Sequence, residues 1–217
     1  ADYPFVGGDP MPSTSWHAEF QDVNNDGLMD LFIAKGNVDI MPEFAAADPN
    51  NLLIGQPDGS FVESAEEANM ISFERGRGAV LIDLNLDGIL DLVVANLKAP
   101  TEIWRNVGKG TAQKTEVHGN WIGLKLHQPG GNRNAIGSWV QVRTGKKIQR
   151  REITIGGGHA GGQLGWIHFG LGENKSAEVR VQWPDGKWGK WISVPANSWN
   201  QVDRKTNQAK AWKPAGN

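Results

Sequence analysis

Two stretches of this 217-residue chain carry acids at spacings that could do chemistry. The first reads Asp22-Val-Asn24-Asn-Asp26-Gly27-Leu28-Met-Asp30, and the second reads Asp83-Leu-Asn85-Leu-Asp87-Gly88-Ile89-Leu-Asp91. Both spell D-x-N-x-D-G-x-x-D, and the second begins 61 residues after the first. Side chains at positions 1, 3 and 5 of such a loop converge when it curls, and glycine at position 6 permits the sharp turn. A backbone carbonyl at position 7 then faces the same point. Six to eight hard oxygens drawn from carboxylates, amides, carbonyls and water are what Ca²⁺ requires. The spacing therefore predicts two Ca²⁺ ions. One is held by Asp22, Asn24, Asp26, the Leu28 carbonyl and Asp30, the other by Asp83, Asn85, Asp87, the Ile89 carbonyl and Asp91. Three carboxylates meet each dication, leaving about −1 per loop. The loops are not EF-hands: position 12, where that loop places a bidentate Glu, is Ile33 in one and Val94 in the other.

The elements that must position these loops are strands. An alternating run precedes each loop (Trp16–Phe20; Gly78–Ile82) and a compact apolar run follows it. Asn51-Leu-Leu-Ile and Asp58-Gly-Ser-Phe read as a hairpin closed at Asp-Gly. Glu63–Met70 reads as a short helical turn between the repeats. A 61-residue self-similarity is the mark of a repeat architecture. From about Trp121 onward the chain alternates in short runs separated by Gly, Pro and Asn clusters, which predicts a small sandwich or barrel. Residues 206–217 read as a polar tail.

Charge divides along the same line. Residues 1–110 hold 6 Lys and Arg against 18 Asp and Glu, whereas residues 111–217 hold 16 against 6. The acidic half suits cations. The basic residues of the other half are dispersed over strands and form no tract, which predicts no nucleic-acid partner. No stretch approaches eighteen apolar residues, so no membrane span is expected. The absence of Cys excludes disulfides, thiolate metal sites and a cysteine nucleophile.

Weaker patterns point elsewhere. Gly156-Gly-Gly158-His-Ala-Gly161 matches G-x-G-x-x-G, but no helix opens there as a dinucleotide site requires, so it reads as a bend. His17 and His168 lie in strands and read as structural, whereas His159 in the bend is the better functional candidate. Eight of the ten Trp follow residue 120 and are expected to fill a thin β-core. Glu19, Glu43, Glu74 and Glu102 show no convergent spacing, and no catalytic or cofactor-binding residue is assigned.

The two Asp loops with their strands, over about residues 14–110, resemble FG-GAP (VCBS-type) repeats. The motifs Asn132-Arg-Asn-Ala-Ile-Gly137, Arg151-Glu152 with Gly156-Gly-Gly158, His168-Phe-Gly-Leu-Gly172 and Val181-Gln-Trp-Pro-Asp-Gly186 resemble an ASPIC/UnbV domain. That order of parts is similar to the cartilage acidic protein family and its bacterial relatives. The resemblance implies an all-β chain: two FG-GAP-type β-propeller blades (residues 1–112, a partial propeller), then a sandwich- or barrel-like ASPIC/UnbV domain (113–205) and the tail. It implies Ca²⁺ binding, adhesion or matrix-type roles, an unidentified protein or glycan partner, and secreted, periplasmic or cell-surface placement. Propellers need four to eight blades. With two repeats, and no Met or leader at Ala1, the chain reads as the C-terminal part of a longer protein whose further blades come from the same precursor or another chain. Ile103–Thr111 resembles the hairpin of a further repeat that has lost its Asp. Two other readings stand beside a binding module: a polysaccharide lyase or hydrolase with a Ca²⁺-assisted cleft, and a subunit of a surface filament or multi-chain complex.

Overall fold

The computed structural model describes residues 14–37 and 48–214. Those residues form fifteen β-strands and no α-helix, and they fall into two compact units. The first takes the chain up to Val23, Leu28–Asn106 and Gly156–Gln163; the second takes Asn24–Gly27, Val107–Ile155 and Leu164–Asn217. Residues 1–13, 38–47 (with Glu43) and 215–217 lie outside the described residues.

The first unit holds the repeat. Strands β1 (Ser15–Gln21), β2 (Asp30–Lys35), β3 (Asn51–Gly55) and β4 (Phe61–Glu63) make an antiparallel meander in sequence order. Strands β5 (Gly76–Ile82), β6 (Asp91–Asn96) and β7 (Glu102–Trp104) repeat its first three strands. The likeness extends to irregularities. The β1–β2 register slips between Ser15 and His17, and the β5–β6 register slips between Gly76 and Gly78, one repeat later. Each Asp loop joins the first strand of its sheet to the second. Period-2 alternation gives each sheet one apolar face. Phe32, Ala34 and Leu52 of one sheet and Ala79, Leu81, Leu92 and Val94 of the other pack into a single core with Val23, Ala65, Met70 and Leu90. The segment after β4 makes one turn and no helix, with Ala68 N–H donating to the Ser64 carbonyl and Met70 N–H to that of Ala65. The second sheet stops at three strands: the chain beyond Trp104 forms no fourth strand and instead turns Asn106 toward the second loop.

The second unit is a sandwich. One sheet has the order β10 (Lys147–Glu152), β9 (Trp139–Thr144), β12 (Ser176–Gln182), β13 (Ile192–Pro195) and is antiparallel throughout. The other has the order β11 (Ile167–Gly172), β8 (Asn120–His127), β14 (Ser198–Asp203), β15 (Gln208–Trp212), with β14 and β8 parallel. Ile122, Leu124, Leu126, Val140, Val142, Phe169, Leu171, Val179, Val181, Val194 and Val202 fill the space between them. The Trp residues depart from expectation. Trp183 is the only one of them in that core cluster among the described residues. Trp121, Trp166, Trp199 and Trp212 form a contiguous aromatic row on the outer side of the second sheet, with centroids 4.8–5.0 Å apart. Gly123 makes the row possible, because a side chain there would overlap the Trp199 ring. On the outer side of the other sheet, Arg180 stacks against Trp188 and Trp191, and Arg143 against Trp191. Aliphatic residues with Phe169 and Trp183 make the core between the sheets, and the other indoles pack on its outsides, where Trp121 and Trp199 are themselves buried. The segment read as a tail departs too: Gln208–Trp212 is strand β15, paired along β14. Asp203 turns the chain into it by accepting from the Thr206 N–H, and Asn207 takes the left-handed conformation that closes the hairpin.

Candidate calcium loops

Within the second loop each acid has a defined task. The Asp83 carboxylate accepts from the Asp87 N–H at 3.1 Å and from the Gly88 N–H at 2.8 Å. Asn85 donates to Asp87 Oδ2 through its amide and accepts the Asp87 N–H on Oδ1. Asp91 accepts the Leu84 N–H on Oδ2 and the Asn106 N–H on Oδ1. The turn itself uses two left-handed residues, Leu86 (φ 63°) and Gly88 (φ 95°).

The first loop has the same backbone, with Asn25 at φ 61° and Gly27 at φ 83°. Asn24 and Asp26 repeat the Asn85–Asp87 exchange of hydrogen bonds. Asp30 repeats the latch of Asp91, with Oδ2 accepting from the Val23 N–H at 2.8 Å and Oδ1 from the Gly55 N–H at 2.9 Å. The position-9 acid therefore ties the start of the loop to the end of the third strand in the first repeat, and to Asn106, two residues beyond the third strand, in the second. Asn25 has a task of its own: its Oδ1 lies 2.6 Å from His168 Nε2 and its carbonyl accepts from the Gly172 N–H.

Electrostatics set the second loop under tension. Burial pushes the Asp83 carboxyl up to about 6, the Asp87 charge adds to the rise, and the loop amides oppose it. Burial also raises Asp91, against the amides of Asn106 and Leu84. A buried carboxylate with a like-charged neighbour is a group that a cation would relieve. Among the described residues no three His, Cys, Asp or Glu side chains converge as a metal-sized cluster. The carboxylates are turned to backbone amides, and the donor set includes Asn and carbonyl oxygens that such a cluster omits.

The sequence reading missed Gly55 and Asn106, because a backbone amide leaves no mark in a motif, and Asn25, whose partners His168 and Gly172 lie far along the chain. The lone signal was Asn106, inside the segment whose Asp is lost. The other acids do not converge. Glu19 is bound by Gln21, Gln163 and the Leu81 N–H, and Glu102 by Ser72 and Asn96. In the second unit a cavity of about 80 Å³ is lined by Lys125, Leu126, Asn134, Ile153, Leu164, Gly165 and Ile167, without an acid or a histidine.

The profile of the FG-GAP-like repeat family matches residues 22–94, spanning both Asp loops, and that of ASPIC and UnbV matches residues 128–209, within the sandwich. The chain is an FG-GAP-like repeat protein with an ASPIC/UnbV domain. It is 32% identical to cartilage acidic protein 1 of Homo sapiens over 186 residues, covering 82% of this chain and 26% of that protein. The same protein of Mus musculus is 32% identical over 117 residues, covering 52% of this chain and 17% of that protein. The chain thus spans about a quarter of the human relative's length. Its all-β sheets are consistent with propeller blades, and its pair of domains with an extracellular repeat module. Among the described residues no helix is long and apolar enough to cross a membrane.

Proposed function

We propose that this chain is a Ca²⁺-binding module of an exported adhesion- or matrix-type protein, placed in the periplasm, at the cell surface or outside the cell. Asp83, Asn85, Asp87, the Ile89 carbonyl and Asp91 would hold one ion, and Asp22, Asn24, Asp26, the Leu28 carbonyl and Asp30 the other. The observation that carries the reading is the second loop: Asp83 is buried beside Asp87 and its carboxyl is pushed up to about 6. That all-oxygen donor set fits Ca²⁺. The ion supplies charge neutralisation when bound, and the residues do the rest. Asp91 and Asp30 hold the loops against the third strands, while Leu86 with Gly88 and Asn25 with Gly27 curl them. Binding that needs the folded loop becomes folding free energy.

The module's partner is a protein or a glycan outside this chain, and further blades complete the propeller. The face of the first sheet turned away from the unit's core carries Phe20, Leu31 and Leu53, with Phe20 53% exposed. On the second sheet Ile103 is 66% exposed. Apolar sheet faces of this kind support stacking against additional blades.

The test is a thermal melt with Ca²⁺ and with chelator, on the wild type and on Asp26→Ala/Asp87→Ala. Chelation is expected to lower the wild-type Tm, and the double variant is expected to melt at the chelated temperature in either buffer. A double variant that melts with the Ca²⁺-loaded wild type would sink the proposal.

A further inference from the structure

The glycine-rich segment Gly156–Gln163 belongs to the first unit, not to the sandwich whose strands precede and follow it in the chain. It crosses two strands that are edges of their sheets, β1 and β5. Its backbone pairs with β1 through the His159 N–H, which donates to the Trp16 carbonyl at 3.0 Å. The His159 ring lies 4.7 Å from the Trp16 ring. Gln163 reaches both strands, donating from Nε2 to Glu19 Oε1 at 2.9 Å and to the Leu81 carbonyl at 3.4 Å. Glu19 in turn accepts the Leu81 N–H on Oε2. A bridge between Gly156 and Gly162 closes the segment on itself.

The glycines have a steric reason. His17 is 2% exposed and lies directly beneath the segment. A methyl group at Gly158 would overlap the His17 ring, and one at Gly161 would stand 2.6 Å from His17 Nδ1. On the β5 side, a methyl group at Gly78 would overlap the Ala160 carbonyl. The G-x-G-x-x-G pattern thus cradles an imidazole.

We infer that Gly156–Gln163 is a strap that seals the edges of β1 and β5, and that its release turns the chain into a self-associating one, a second copy pairing along the bared edge. An uncovered strand edge is a template for pairing with another chain, and covering it with a loop is one way a protein blocks that. The strap depends on glycine against His17, so a single methyl group at Gly158 opens it.

The experiment combines hydrogen exchange with sedimentation on the intact chain. Gly158→Ala is expected to speed amide exchange in Ser15–Gln21 and Gly76–Ile82 at least tenfold, and to raise the mass with concentration above that of the wild type. In a His17→Gly background, which removes the obstructing ring, the same substitution is expected to speed exchange far less and to leave the mass at that background's own value. The left-handed backbone of Gly158 (φ 57°) penalises alanine equally in both backgrounds, so the difference reports the ring alone. Gln163→Ala, which adds no atoms, should act in the same direction as Gly158→Ala but more weakly. Wild-type exchange and mass in both Gly158→Ala and Gln163→Ala would overturn the inference, as would an undiminished effect of Gly158→Ala in the His17→Gly background.

Discussion

Asp91 is the residue through which the second repeat holds its shape. Its two oxygens accept amides from the start of its own loop, Leu84, and from beyond β7, Asn106. Asp91→Ala leaves both amides without that acceptor, at a cost of about 3 kcal/mol, while Asp91→Asn keeps one oxygen and loses less. Urea unfolding in chelator separates this latch from any effect on ion binding, and equal midpoints for wild type and Asp91→Ala would refute it. Leu86 works in the other direction. A γ-branched side chain at φ 63° is strained, whereas the equivalent position of the first loop holds Asn25, a residue that tolerates this conformation. Leu86→Asn is expected to raise stability by about 1 kcal/mol, read as a Tm increase of a few degrees. His168 carries a pH dependence. Burial, with the charge of Arg151 adding, lowers its imidazole from 6.5 to about 3, so the fold takes the ring neutral. The stability this contributes is whole above pH 6.5 and is lost progressively as pH falls toward 3. Other groups titrate in the same window, Asp83 among them with the opposite sign, so the informative quantity is a difference. Wild type should lose more stability between pH 7 and pH 4 than His168→Gln does, and parallel curves would remove His168 from the account.

At the scale of elements, what was legible in the sequence was what repeats. Two Asp loops 61 residues apart, each between alternating runs, were enough to place β1, β2, β5 and β6, because period-2 burial writes itself into residue types. The register slips at Ser15/His17 and Gly76/Gly78 were not legible, although they recur at the same offset, because a bulge is a backbone event. The Trp residues misled for a different reason. A large apolar side chain in a strand says that one face is covered, without saying which, and here only Trp183 of the indoles joined the core cluster among the described residues. Strand β15 was hidden by its composition, since Gln208-Ala-Lys-Ala-Trp212 is polar on its exposed side and earns its place by pairing along β14. Truncation after Asp203 tests this element. Losing β15 strips the partner of Trp199 and bares the edge of β14, so the sandwich should melt at least several degrees lower. A frayed tail would leave the melt unchanged.

For the whole molecule the decisive fact is that the described residues form two cores. One joins the two repeat sheets and the other lies between the sandwich sheets, with no residue in common. The second Asp loop lies wholly in the first unit, while the first loop is divided, its residues Asn24–Gly27 going with the second unit. On the proposed calcium reading, an ion at the second loop would stabilise the first core, by about 2.7 kcal/mol when free Ca²⁺ is a hundredfold above its Kd. The fluorophores are distributed the other way. Trp16 and Trp104 belong to the first unit and the remaining eight to the second. Calorimetry and Trp fluorescence thus see the two cores with different weights. Two cores of separate composition should melt in two steps, and chelator should move the step that dominates the heat signal of the first unit while shifting the Trp-reported step less. Asp87→Ala, confined to the first unit, should reproduce that selective shift. A single transition seen identically by heat and by Trp emission, displaced as a whole by chelator, would mean that the two cores unfold as one and that calcium stabilises the molecule without preference for either.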